Sequence, residues 1–174
     1  MILRLSQNGA TRSGGAPSHT STFLQLLSSG AMQQRINNIL VPTYQKRYNI
    51  LISAIATHHE PLGVKITTGA PYINPSEGSE EVVPAGCFFT YTTFLEELPG
   101  TDVIAKRAKE EHSLTIAYGQ IFVVRGDEGS MERARKGFGM GARLCWAWHE
   151  EDEIEDGIKR LTNLLKVMLS ETNL

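Results

Sequence analysis

The sequence predicts an α+β fold, in which a small sheet packs against a long bent helix and a C-terminal helix. Apolar residues recur at spacings of three and four over residues 36–55 and again over residues 154–168, and this spacing is typical of helices with one buried face. The candidate strands are few and short, although they interleave with helical segments. Helices packed on one face of a small sheet therefore fit the pattern better than a doubly wound fold does.

The composition is that of one soluble globular domain. The chain has 174 residues, 41% hydrophobic and 21% charged, which is enough to bury a core. A net charge of −2 argues against a nucleic-acid-binding protein, and no apolar run approaches the roughly 18 residues of a membrane span. Cys87 and Cys145 lie in apolar runs and are predicted to be reduced core cysteines. Since the N-terminus lacks a secretory leader, we expect a cytoplasmic protein.

The N-terminal third is predicted to be an irregular segment followed by two helices. Residues 1–17 are rich in Gly, Ser, Thr and Asn. Ser18 is the predicted N-cap of a short helix that Gly30 ends. The long helix follows and contains Pro42, which removes one hydrogen bond and crowds the carbonyl of Asn38, so we expect a bend there. The segment THHEPLG ends the long helix.

The middle of the chain is predicted to hold two strands and a helix. The strands are the segments GVKIT and GCFFTYTTF. Between them, residues 68–79 contain two prolines and two glycines, which predicts a loop. The segment LPGTD forms a turn, and a helix follows it over about residues 102–112.

The C-terminal third is predicted to end in a strand and a long helix. The segment LTIAYGQIFVV is interpreted as a short strand, a turn and a second short strand, and residues 126–138 as a loop. GARLCWAW is the third clear strand. The last helix covers about residues 150–169, with acidic residues in its first turns and basic residues later, an order that suits the helix dipole.

Arg143 has a charge that conflicts with its predicted surroundings. An arginine cannot lose its proton, and burying it without a partner costs much free energy. In an apolar strand it therefore needs an anion, and its planar fork can bind a substrate carboxylate in a bidentate pair. Alternatively, it points outward from an alternating strand or pairs with a core Asp or Glu.

Other candidate sites give weaker signals. Arg12 and Ser13 precede two glycines that allow backbone to approach an anion, but the segment matches no phosphate-loop pattern and also suits a flexible loop. The pair His58–His59 has no carboxylate or cysteine at metal-ligand spacing, so no metal site is predicted. No serine stands in a nucleophile elbow.

Four motifs occur in an order that resembles a known family: a Y-x-x-R segment, a Pro-Gly-aromatic strand start, a Gly-Phe segment and an arginine strand before the last helix. Their residues are, in this order, Tyr44 and Arg47; Pro84, Gly86, Phe88 and Phe89; Gly119 and Phe122; Arg143, Leu144 and Trp146. Together they resemble the C-terminal half of a class I/II aminotransferase, a family of pyridoxal-phosphate enzymes on the fold type I scaffold. Cys87 departs from the pattern, which often has a second glycine or a bulky residue there.

The resemblance implies a role for both candidate anion sites. Arg143 would be the bidentate partner of the substrate's α-carboxylate and would fix the amino acid for removal of its Cα proton. Arg12 and Ser13 resemble a loop that leans toward the neighbouring subunit's active site, where they would bind the cofactor. Residues 1–30 would be a remnant of the large domain, a loop and a short helix, and residues 31–174 would be the small domain.

The resemblance also implies a lysine that forms a Schiff base with pyridoxal phosphate. That lysine normally lies in a serine-rich segment. None of the lysines of this chain lies in such a context, namely Lys46, Lys65, Lys106, Lys109, Lys136, Lys159 and Lys166. No catalytic residue is therefore predicted, and this chain alone is not expected to bind pyridoxal phosphate or to transfer amino groups.

Three hypotheses follow from the sequence. The chain is the C-terminal part of an aminotransferase, either a truncated product or one chain of a split enzyme. Alternatively, it is a repurposed enzyme or binder of small carboxylates that needs no pyridoxal phosphate. In the third hypothesis it is a non-catalytic partner of a full-length relative. The short helix would expose apolar surface, so we expect a homo-oligomer or a complex with an aminotransferase chain.

Overall fold

The computed structural model describes residues 17–67, 72–73, 81–82 and 88–172. Three sequence-based expectations fall outside these ranges: the irregular N-terminal segment, the start of the second predicted strand with Cys87, and most of the predicted loop at residues 68–79. The chain divides into two compact units, Met1–Tyr44 and Gln45–Leu174. The proposed ancestry of residues 1–30 in a large domain stays a prediction.

The described part of the first unit is helical except at Ser29 and Gly30. Helix α1 covers Pro17–Ser28, so the predicted short helix is confirmed and begins one residue before Ser18. Helix α2 covers Ala31–Arg35. Between the two helices Gly30 has a φ of 73°, in the left-handed region that favours glycine, which explains the break at this residue.

A π-helical turn, Ile36–Leu40, precedes helix α3, which covers Val41–His58. The Val41 N–H donates to the Ile36 carbonyl, five residues back. Because Pro42 has no N–H and its ring crowds the preceding turn, a wider turn is favourable at this point. The sequence predicted a bend at Pro42, and the structure has a π-turn directly before it.

The second unit contains the sheet. Its further elements are β1 (Lys65–Thr67), β2 (Tyr72–Ile73), β3 (Glu81–Val82), β4 (Phe89–Thr93), α4 (Thr101–His112), β5 (Ala117–Tyr118), α5 (Glu128–Lys136), β6 (Gly141–Cys145) and α6 (Glu151–Thr172). Four strands form an antiparallel sheet in the order β1-β4-β6-β5, and β2 pairs with β3 separately. The predicted α+β fold with a small sheet is confirmed.

The two faces of the four-stranded sheet differ in burial. On the inner face, Thr90, Thr92, Ala142 and Leu144 are buried. The outer face carries the alternate residues of the same strands, Phe89, Tyr91, Thr93, Gly141, Arg143 and Cys145. Helical side chains complete the core with the inner face, and they are Leu51, Ala54, Ile55, Ile104, Ala108, Ile154, Ile158, Leu161, Leu164, Leu165 and Met168.

Two predictions for residues 114–138 are wrong. The second short strand is absent, and a 3-10 helix, Gly119–Phe122, follows β5 instead. The predicted loop at residues 126–138 contains helix α5. Asp127 caps this helix, because its Oδ1 accepts a hydrogen bond from the Ser130 N–H at 3.2 Å.

Two further predictions need correction. The segment predicted as a loop at residues 68–79 includes the two-residue strand β2. Cys145 is exposed and not a core residue, because it is the last residue of β6 and lies on the outer face. Strand β6 also ends at Cys145, before the predicted end at Trp148, although the Trp146 N–H still donates to the Phe88 carbonyl at 3.2 Å.

Candidate functional site

Arg143 lies in the middle of the outer face. It is the third residue of β6, and its Cα partners are Tyr91 in β4 and Ala117 in β5. Its neighbours Ala142 and Leu144 are buried on the inner face, so the alternation of the strand places the Arg143 side chain on the outer face. There it is half-buried. Strands on both sides of β6 therefore fix the backbone that carries this cation.

Two aromatic rings hold the guanidinium of Arg143. Its Cζ atom lies 4.1 Å from the centroid of the Phe89 ring and 4.9 Å from that of Phe122. Phe89 belongs to β4, and Phe122 ends the 3-10 helix after β5. Because the cation lies over the ring faces, the negative side of each ring's quadrupole attracts it, by about 0.5–1 kcal/mol at an exposed site.

No described residue neutralises the charge of Arg143. Neither a hydrogen bond nor an ion pair joins its guanidinium to any side chain or carbonyl in the described part of the chain. Of the sequence-based alternatives, pairing with a core Asp or Glu is therefore not seen among these residues. The observed geometry is an outward-pointing arginine whose N–H edge has no acceptor there, and such an edge matches a carboxylate.

Tyr91 and two glycines fix the backbone beside Arg143. The Tyr91 hydroxyl donates to the Phe138 carbonyl. A side chain at Gly119 would collide with both of these groups, and one at Gly141 would collide with the Tyr91 ring. Burial raises the pKa of Tyr91 above its ordinary value, and the Gly141 N–H offsets this only in part. The hydroxyl therefore stays protonated, as a donor to Phe138 must.

Arg47, the other arginine of the resemblance, has protein partners. Its Nη1 donates to the Ala147 carbonyl at 2.6 Å, and its Nη2 lies 3.2 Å from Glu150 Oε2. One residue further along the helix, the Tyr48 ring meets Trp146 edge to face at 5.7 Å. Arg47 thus joins α3 to the segment between β6 and α6 and has a structural role.

The described residues do not form a pyridoxal-phosphate site. A Schiff-base lysine needs a desolvated or otherwise perturbed amine. Every lysine of the chain is exposed, and three of them pair with carboxylates, namely Lys46 with Glu151, Lys136 with Glu132 and Lys159 with Glu155. Arg12 and Ser13, the predicted cofactor-binding residues, lie outside the described residues. No reaction step through the cofactor follows from these side chains.

The histidine pair has no metal-binding geometry. Among the described residues, no group of three His, Cys, Asp or Glu side chains is placed to hold an ion. His59 is fully buried, and neither ring nitrogen completes a hydrogen bond within this part of the chain. Burial lowers the pKa of His59 to about 4, the Ile158 backbone opposes this although it does not complete a hydrogen bond to the ring, and the nearby charge of His58 adds to the lowering. His59 is a neutral core residue.

Sequence reasoning placed Arg143 on a strand but missed its neighbours. Nothing in the sequence assigns Tyr91 to a site, and the sequence identifies Phe89 and Phe122 only as motif positions. The missing information is the register, since Phe89 is opposite Cys145 and Tyr91 is opposite Arg143. A usable signal was the two-residue spacing of Phe89 and Tyr91, which puts both rings on one face of a strand.

Comparison with known proteins finds similar structures but no matching sequence. No protein-family model matches the chain, and no curated protein sequence matches it. The multiple substrate aminotransferase (MsAT) from Thermococcus profundus is similar with a TM-score of 0.60 and 19% identity, over 84% of this chain and 29% of its own. LysN, an α-aminoadipate aminotransferase from Thermus thermophilus solved with N-(5'-phosphopyridoxyl)-L-leucine, gives a TM-score of 0.56 and 20% identity, over 84% and 30%.

These similarities establish the fold. The chain has the fold of part of an aminotransferase, and it spans 29% and 30% of the lengths of these two enzymes. The predicted resemblance is confirmed at the level of the fold. In the described ranges, no helix is both long enough and apolar enough to cross a membrane. The cytoplasmic location stays a prediction.

Proposed function

We propose that this chain is the small-domain part of a pyridoxal-phosphate aminotransferase, and that Arg143 binds the α-carboxylate of its amino-acid or 2-oxo-acid substrate. The observation that carries the proposal is the half-buried Arg143 guanidinium, held by two rings and unpaired among the described residues, in a chain with part of an aminotransferase fold. The cofactor and the group that removes the Cα proton would be held by residues beyond these 174, in the same polypeptide or in a second one.

The contribution of this chain to the reaction would be positioning. Phe89 and Phe122 take up faces of the guanidinium and leave its in-plane N–H groups to a carboxylate, which can accept two parallel hydrogen bonds. A carboxylate held in this way has its plane and position fixed, which limits the orientations in which the bound Cα is presented. The partial burial of Arg143 strengthens the pair, because fewer water molecules compete for the same donors.

The test is a titration of the 174-residue protein with pyruvate, followed by NMR, in three forms. Arg143→Met removes the cation and keeps similar volume. Arg125→Met is the matched control, since Arg125 is an exposed arginine in a loop. We expect saturable shifts in the native protein and in the control, and affinity at least about tenfold weaker in Arg143→Met. Equal affinity in all three proteins would refute the role of Arg143.

A second candidate function is that of a non-catalytic partner of an aminotransferase chain. It is favoured by the apolar side chains of α1, of which Phe23 and Leu27 are 63% and 60% exposed. Surface of this kind is typical of contacts with another chain. Size-exclusion chromatography of this protein mixed with a full-length aminotransferase from the same source is expected to give one earlier peak. Two unchanged peaks would count against the partner function.

A further inference from the structure

The surface beside Arg143 is aromatic as well as positively charged. Phe89 and Phe122, which contact the guanidinium, are still 41% and 38% exposed. Phe88 is 50% exposed, and its ring meets that of Phe89 edge to face at 6.5 Å. A ligand that pairs with the cation therefore has exposed ring surface next to it, and burying that surface is favourable.

The described strands carry one further positive charge on the outer face. Among the described strand residues of the outer face, Lys65 is the only other cation, and its Cα partner in β4 is Thr93. Thr93 is opposite Gly141, two residues before Arg143. From ordinary strand spacing and rise, the Cα atoms of Lys65 and Arg143 lie about 12 Å apart. A short dicarboxylate bound to Arg143 would place its second charge against the exposed surface of Phe89 and Phe122, where desolvating a charge is unfavourable.

From these two observations we infer that the acid bound by Arg143 carries an aromatic or bulky apolar arm, and that Phe89 and Phe122 select it over short and dicarboxylic acids. The inference rests on the proposed carboxylate-binding role of Arg143 and names the substrate class of that site. Each ring has two functions: part of its face holds the guanidinium, and the remaining exposed surface receives the arm of the ligand.

Substitutions of Arg143 and of the two rings are expected to change ligand affinity in different ways. Loss of Arg143 removes the partner of every carboxylate, so it weakens all acids alike. Loss of one ring leaves the N–H edge of the guanidinium in place, so it weakens mainly the acids that have an apolar arm. Phe89 and Phe122 are therefore specificity-determining residues, and a ratio of affinities is the quantity that reports on them.

The experiment measures Kd values of 3-phenylpropanoate, propanoate and succinate for the full 174-residue protein. The variants are Phe89→Leu, Phe122→Leu and Arg143→Met, and Phe23→Leu is the matched control on an exposed phenylalanine of the other unit. We expect 3-phenylpropanoate to bind the native protein about tenfold more tightly than either other acid. Each ring variant is expected to reduce this ratio by about threefold or more, and the control to keep it. Thermal unfolding of each variant shows that it is folded.

The outcomes distinguish the inference from the proposed function. If the three acids bind equally and all lose affinity in Arg143→Met, the substrate class is wrong and the carboxylate-binding role stands. If no acid depends on Arg143, the proposed function fails and the inference fails with it. A preference for 3-phenylpropanoate that survives both ring variants would overturn the inference, because other residues would then select the arm.

Discussion

The two faces of the four-stranded sheet differ in burial and in the side chains that they present. The inner face presents Thr92, Ala142 and Leu144, which are buried against the helices. The outer face presents Phe89 and Arg143 on the same two strands, and these stay partly exposed. Since successive strand residues point to opposite faces, the buried core and the proposed carboxylate-binding residue can lie on the same strands. The inner face should therefore dominate the free energy of unfolding.

Shortening Leu144 is expected to have the largest effect. Leu144→Ala leaves a cavity between the inner face and the helices, which should lower the free energy of unfolding by about 2–5 kcal/mol. Cys145→Ala is the control, because Cys145 is the next residue and is exposed on the outer face, so it should change stability by less than about 0.5 kcal/mol. Urea denaturation of both variants measures the difference. Similar losses at the two positions would contradict the division between the faces.

The protein core also contains a titratable group, His59, which directly follows helix α3. Its pKa is lowered from 6.5 to about 4 in the folded protein, mainly by burial. Above pH 6.5 the imidazole is neutral in both states, so its contribution to stability is constant. Between pH 6.5 and about 4 the unfolded chain takes up a proton that the folded protein does not. The free energy of unfolding therefore decreases as the pH is lowered, by about 3 kcal/mol in total at pH 4.

The variant that checks this pH dependence is His59→Leu, which fills the site with an apolar side chain. Its stability is expected to depend less on pH between about 4 and 6.5 than that of the native protein. His149→Gln is the control for the removal of a histidine as such, because its side chain is 51% exposed. If His59→Leu and the native protein lose stability in parallel on acidification, the buried neutral imidazole is not the cause.

The inner face and its helices could be predicted from the sequence, because their signal is local. Ile154, Ile158 and Leu165 recur at helical spacing, and all three are buried in α6. Helix α5 escaped prediction because its buried residues are only Ser130 and Ala134, which give no apolar stripe. Its cap at Asp127 was the available signal.

The candidate site could be predicted only in part, because it depends on contacts between distant segments. A permanent charge in an apolar strand identified Arg143 from local sequence. The rings that hold it come from β4 and from the 3-10 helix after β5, so they follow from register and not from spacing. The sequence around Gly119 does not indicate that the Tyr91 hydroxyl and the Phe138 carbonyl lie where a side chain at this position would be.

A substitution at Gly119 tests how the outer face is held together, with an intermediate effect. Gly119→Ala places a methyl group against the Tyr91 hydroxyl and the Phe138 carbonyl, so one of them must move. We expect a loss of about 1–3 kcal/mol in the free energy of unfolding. Gly137→Ala is the control, since a side chain there meets its nearest neighbour at 3.8 Å, an ordinary contact distance. Equal stability of the two variants would mean that Tyr91 does not fix this segment.

The smallest change in stability is expected at Arg143 itself, and Arg47 provides the comparison. Both are arginines of the second unit, but Arg47 donates to the Ala147 carbonyl at 2.6 Å, whereas Arg143 has no hydrogen-bond acceptor among the described residues. Arg47→Met leaves that carbonyl without its donor and should cost about 1–3 kcal/mol. Arg143→Met loses the attraction of the cation to the two rings, but it also removes a half-buried charge and keeps apolar contact with the rings, so the effects offset and stability should change little. Thermal and urea unfolding of the two variants measure this difference in stability.

The result at Arg143 gains its meaning from the binding experiment. A residue whose replacement weakens carboxylate binding, while stability stays the same or rises, has a ligand-binding role, because partly buried charges without a protein partner are otherwise costly. If Arg143→Met is as destabilising as Arg47→Met, its guanidinium has a structural partner outside the described residues, and the outer face does not differ from the inner one in the way proposed.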